Sequence, residues 1–189
     1  MNLKLKDLIE GKKSVILERW FDAILETYPT DSSGFLKKQS DRFANPVGHT
    51  ISQGTKGILE VLIEGKELTE DLPFLNDFIK VRAIQDFTPS KAMIFIFLLK
   101  KVVRKSLEKE IRQNQIYGAL LEFESKIDDL ALFAFDIYVK CREQIYELKT
   151  DELKRMTYTL LKKANLMYEI PDEEFKVKDQ ECNSQGCNS

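Results

Sequence analysis

"FTPSKAMIFIFLLKKVVRKSLEKEI", residues 87–111, decides the fold class. Taken alone, "MIFIF" (93–97) reads as a strand, because β-branched and aromatic side chains suit a pleated surface. The flanks argue otherwise. Thr88 is a good N-cap, and Pro89 stands at the first helical position, where a missing N–H does no harm. Downstream, Val102, Val103, Ser106 and Leu107 continue with helical spacing. The segment therefore reads as a helix buried on most sides and central to the core. Its apolar run, "AMIFIFLL" (92–99), is bounded by lysines. A spanning helix needs about 20 such residues, so membrane insertion is not expected.

The rest of the chain agrees with a helical reading. Its 189 residues suit one domain of ordinary size with an appendage. Only 8 glycines and 5 prolines interrupt it. Leu, Lys, Glu and Ile are common, as in all-α proteins. With 29 basic and 31 acidic residues the net charge is -2. Such a balance gives no field that would attract nucleic acid or an anionic membrane. The start, "MNLKLKDLIEGKK", is charged throughout and lacks the apolar core of a signal peptide. A cytoplasmic location is expected. Three cysteines, two near the C-terminus, make no disulfide framework.

Working outward, Leu17, Trp20, Phe21, Ile24, Leu25 and Tyr28 form one amphipathic stripe that Pro29 stops. A short helix through Phe35, Leu36 and Phe43 is expected next. Val47, Ile51, Ile58, Leu59 and Leu62 mark a third helix, with Asn45 as N-cap, Pro46 first in the helix and Gly65 ending it. "DLPFLNDFIKVRAIQDF" (71–87) reads as a fourth. No glycine or proline lies between Gly118 and Pro171. Ile116, Leu120, Phe123, Ile127, Leu130 and Ala134 form a stripe that Tyr138, Cys141, Ile145 and Leu148 extend. Leu153, Met156, Leu160 and Met167 continue it less cleanly. The long region either projects as one helix or breaks near "LKTDEL" (148–153). The expected architecture is an all-α bundle of about six helices with a long C-terminal helix. Residues 1–150 would form the domain, 151–170 a helical extension and 171–189 a disordered tail.

Candidate chemistry is sparse. One histidine, His49, excludes two-histidine metal motifs, and no glycine-elbow serine accompanies it. A single haem-ligating histidine remains open, beside a plain role in the first turn of its helix. Asp129, Asp136, Lys140, Glu143 and Glu147 share one face with mixed sign, the pattern of a solvated surface. Arg82, Gln85 and Asp86 precede a capped helix. They either bind loop backbone groups or hold an anion at the helix start. Trp20, Phe95, Phe97 and Phe135 could line a small apolar ligand pocket or simply belong to the core. Cys182 and Cys187 give a weak C-x4-C signal. The basic Lys100, Lys101, Arg104 and Lys105 are followed at once by glutamates. No metal site, cofactor or catalytic residue is assigned.

Four segments together resemble a known family: "ERWFDAILETYP", "DRFANPVGHTI", "VRAIQDFTPSKA" and "LALFAFDIYVKCREQIYELK". Over roughly residues 3 to 150 they are similar to the N-terminal sensor domain of RsbR-type stressosome proteins, and most similar to the RsbRD-type RsbT co-antagonist N-terminal domain. That resemblance implies a globin-like fold without haem, pairing as a homodimer. In relatives the last helix leads into a STAS domain that builds the complex and is phosphorylated. With the sequence ending at 189, stressosome assembly and kinase binding are not expected to carry over. The expected function is a non-enzymatic input module that dimerises and contacts an unknown regulatory partner through Ile145, Leu148, Leu153, Met156 and Leu160. A ligand-binding module or a haem sensor using His49 is the alternative.

Overall fold

The computed structural model describes residues 3–29, 34, 36, 43–69, 72–85 and 87–164. Seven helices and no strand occur among the described residues. They are α1 (Leu3–Gly11), α2 (Lys13–Leu25), α3 (Pro46–Glu64), α4 (Pro73–Ile84), α5 (Pro89–Ser106), α6 (Glu108–Asn114) and α7 (Tyr117–Lys163). No described helix is long and apolar enough to cross a membrane. Two compact units divide the chain, Met1–Glu147 and Leu148–Ser189.

The decisive segment is helical, but it forms two helices. α5 begins at Pro89 behind Thr88, whose hydroxyl lies 3.3 Å from that of Ser90 and caps no backbone N–H. It buries Ala92, Phe95, Ile96, Leu99 and Val103, so the apolar run is core. It ends at Ser106 without glycine or proline. There Lys12 Nζ donates to the Ser106 carbonyl at 2.8 Å, and Arg19 Nη1 donates to the Ser106 hydroxyl at 3.1 Å. A carbonyl bound by a side chain is taken out of the i→i−4 ladder, a recognised cause of kinks. The chain restarts as α6 after Leu107 and stops at Gln115, which adopts a left-handed conformation (φ 51°).

α2 packs on α5 and α3 on α4. Trp20 of α2 is fully buried, and its indole Nε1 donates to the Phe95 carbonyl at 2.7 Å. Close approach of α3 and α4 rests on two glycines. A Cβ on Gly54 would come within 2.7 Å of the Phe78 ring, and one on Gly57 within 2.6 Å of Phe74. α3 starts as expected: Pro46 is first, and Asn45 Oδ1 accepts from the Gly48 N–H at 2.8 Å. Gly65 closes it with φ 69°.

α1 was not foreseen. Charged residues interrupt its apolar ones throughout, yet Leu5 and Ile9, one turn apart, are buried in the core. The expected short helix through Phe35, Leu36 and Phe43 falls largely outside the described residues; the expected tail, 171–189, and the last part of the expected extension, 165–170, lie wholly outside them. α7 runs unbroken through "LKTDEL" to Lys163. Within the first unit its buried face is Leu120, Phe123, Ile127, Leu130, Ala134, Ile137, Tyr138 and Cys141. Every residue from 146 to 164 is exposed.

Candidate functional site

Where the end of α2, the last turn of α4 and the first turn of α5 meet, Arg82 lies fully buried. Its Nε donates to the Ala92 carbonyl at 3.2 Å, and Nη2 donates to the Lys91 carbonyl at 3.0 Å and to Thr27 Oγ1 at 3.4 Å. Nη1 is also buried and has no partner. The guanidinium carbon stands 4.5 Å from the centre of the Phe87 ring, 5.0 Å from Tyr28 and 6.0 Å from Phe95. Tyr28 and Phe87 meet edge to face at 5.2 Å. The Tyr28 hydroxyl donates to Gln85 Oε1 at 2.9 Å. Gln85 thus orients the aromatic frame, and Arg82 crosses it.

The sequence grouped Arg82 with Gln85 and Asp86. Arg82 and Gln85 do share this cluster, and Asp86 lies outside the described residues. The group of Trp20, Phe95, Phe97 and Phe135 does not converge. Trp20 and Phe95 are core residues joined by the indole hydrogen bond. Phe97 is 41% exposed and Phe135 44% exposed, on the outer faces of α5 and α7. Phe97 looks outward because α5 turns its other side to α2. Thr27 and Phe87 escaped the sequence reading, and Tyr28 was read only as the end of an amphipathic stripe. The available signal was two aromatic residues beside proline turns, "TYP" and "DFTP".

α7 carries a second feature. Within the first unit Leu132 and Tyr146 are exposed and Val139 is half-buried, at intervals of seven residues. In sequence the same spacing continues with Leu153 and Leu160, which are 64% and 65% exposed. Phe135 and Met156, both exposed, fall three residues after Leu132 and Leu153. In sequence these positions follow the a/d spacing of a coiled-coil seam; within the first unit Leu132, Phe135 and Tyr146 are exposed, while Val139 also packs against the core. Of the residues expected to meet a partner, Ile145 is half-buried and packs against the core, whereas Leu148, Leu153, Met156 and Leu160 are all exposed. Arg142 and Lys149 stand at the seam's intervening d positions. Arg142 donates to Tyr146 at 2.8 Å and to the Ala83 carbonyl at 3.0 Å.

Remaining candidates are dispersed. His49 is half-buried in the first turn of α3, where its N–H donates to the Asn45 carbonyl. Asp129, Asp136, Lys140, Glu143 and Glu147 are all exposed along α7. Burial raises the pKa of the Cys141 thiol, which holds it in its protonated, unreactive form. Among the described residues no three metal-ligating side chains gather. Cys182 and Cys187 lie outside them.

A family model described as the RsbT co-antagonist protein rsbRD N-terminal domain matches residues 14–153. The chain belongs to the rsbRD N-terminal domain family. No curated protein and no solved structure matches it. As an rsbRD N-terminal domain it is a regulatory domain of the stressosome type. The match spans α2 to α6 and the part of α7 that includes Leu132, Tyr146 and Leu153. Met156 and Leu160 lie beyond it.

Proposed function

We propose that this rsbRD N-terminal domain is a non-enzymatic regulatory module that pairs with a second copy, and contacts its regulatory partner, through α7. The observation that carries the reading is the exposed a/d seam. Leu132, Tyr146, Leu153, Met156 and Leu160 leave water-exposed apolar surface at regular intervals on a 47-residue helix. Single exposed apolar residues need no explanation, but a periodic series on one face asks for an apolar partner. A helix with the same repeat is its natural complement. A seven-residue repeat on a helix of about 3.6 residues per turn drifts slowly around the axis, so pairing would wind two copies left-handedly.

Light scattering tests this reading. The full chain at micromolar concentration should show a mass about twice its 22.0 kDa. Replacing Leu153 and Leu160 together by Asp should return the monomer mass while leaving the thermal midpoint of the core unchanged. A full chain that is strictly monomeric at those concentrations would remove the dimer from the proposal.

A further inference from the structure

Among the described residues Arg82 alone joins full burial, a permanent charge and an unused donor. Its acceptors, two backbone carbonyls and a hydroxyl, are all neutral. A guanidinium cannot shed its proton inside a protein, so burial cannot neutralise it as it neutralises a lysine. Helix dipoles do not supply the missing charge. Arg82 sits in the negative last turn of α4, but its guanidinium lies against the positive first turn of α5. That first turn has no side-chain cap. No carboxylate neutralises Arg82 among the described residues, and the Nη1 protons have no acceptor. Buried charges in folded proteins are ordinarily paired, and an unsatisfied buried donor calls for a partner.

The surroundings restrict what that partner is. Tyr28, Phe87 and Phe95 face the guanidinium with their rings. Strongly hydrated dianions such as phosphate would lose their water here and find a single donor group in return. A monocarboxylate with an apolar body meets both halves of the site: its charge reaches Nη1, and its body lies on the rings. Phe87 is half-buried in the link between α4 and α5, so its ring is the wall that must shift to admit it. We propose that Arg82, framed by Tyr28 and Phe87, anchors a small monocarboxylate of apolar body. Such a site would be the module's input, separate from the seam on α7.

Sodium benzoate is a suitable probe, because Trp20, the chain's only tryptophan, reports through the Phe95 carbonyl it holds. Titration of the full chain at constant ionic strength should change Trp20 fluorescence saturably. At ten times Kd the thermal midpoint should rise by about 3–5 °C. Phosphate should do neither. Arg82→Met keeps the volume of the side-chain stem and removes the charge. Its midpoint without ligand should equal or exceed that of the wild type, and its benzoate affinity should fall at least tenfold. Phe87→Ala leaves Arg82 in place and should also weaken benzoate at least tenfold, which keeps the assignment testable if Arg82→Met does not fold. An absent or unsaturable response to benzoate in the wild type overturns the proposal. So does unchanged affinity in Phe87→Ala, or a saturable response to phosphate that exceeds the one to benzoate. A less stable Arg82→Met beside an unresponsive wild type would make Arg82 a structural tie between α2, α4 and α5.

Discussion

At Gly48 the absence of a side chain is a packing requirement. A Cβ there would lie 2.2 Å from Asn45 Nδ2 and 2.8 Å from the Leu36 carbonyl. Those atoms belong to a connected cap: Asn45 Oδ1 accepts from the Gly48 N–H, and its Nδ2 donates to Leu36 at 2.7 Å. Gly48→Val should therefore destabilise by about 1–3 kcal/mol through overpacking, with about 1 kcal/mol more from the disturbed cap. A urea titration showing a lower midpoint at constant slope checks this. Gly118→Ala is the control, since nothing lies within 4 Å of its missing Cβ. It should be neutral or slightly stabilising. The cap was legible because Asn-Pro-x-Gly obeys local rules. Arg82 was legible only as a polar residue near a helix end. Its burial depends on Tyr28, which is 54 positions earlier in the chain and has no local relation to it.

Elements were read well where the signal was local periodicity, and missed where a distant side chain intervenes. Nothing in "VVRKSLEKEI" announces the break after Ser106, because Lys12 and Arg19 cause it from α2 and its start. The same lysine also pairs with Glu110 of α6 at 2.5 Å. That hydrogen bond, with one from the Glu110 backbone, holds the Glu110 carboxyl below the usual carboxylate range. A depressed carboxylate stabilises the fold above its unfolded pKa of about 4.3. The contribution is lost as pH falls through the lower folded value. The thermal midpoint should therefore drop below about pH 4.3, and Glu110→Gln should flatten part of that drop. Equal pH profiles for the two proteins would show that the Lys12 contact adds nothing to stability. α7 was legible as a long helix for want of breakers, but its buried and exposed apolar residues read as one worsening stripe. Spacing alone does not reveal which face the rest of the molecule covers.

At the scale of the whole molecule, the buried core ends early in the long helix. Among the described residues Cys141 is the last buried one, and all of the core cluster they form lies in the unit Met1–Glu147. Beyond it, among the described residues, only Ile145 packs against that core, and every residue from 146 to 164 is exposed. A chain ending at residue 150 should thus keep its cooperative unfolding. At low protein concentration its thermal midpoint should stay within about 2–4 °C of the full chain, the shift expected from about 1 kcal/mol in a domain of this size. It should lose Leu153, Met156 and Leu160, three of the five residues on which the proposed pairing rests. If α7 pairs two copies, mass action makes the full chain's midpoint rise with protein concentration. The shortened chain's midpoint should not depend on it. Calorimetry on both, across a hundredfold range of concentration, separates two contributions that a single melting curve merges. A fall of more than about 8 °C in the short chain at every concentration would show that residues beyond 150 support the core itself. Pairing would then have to be sought elsewhere than on α7.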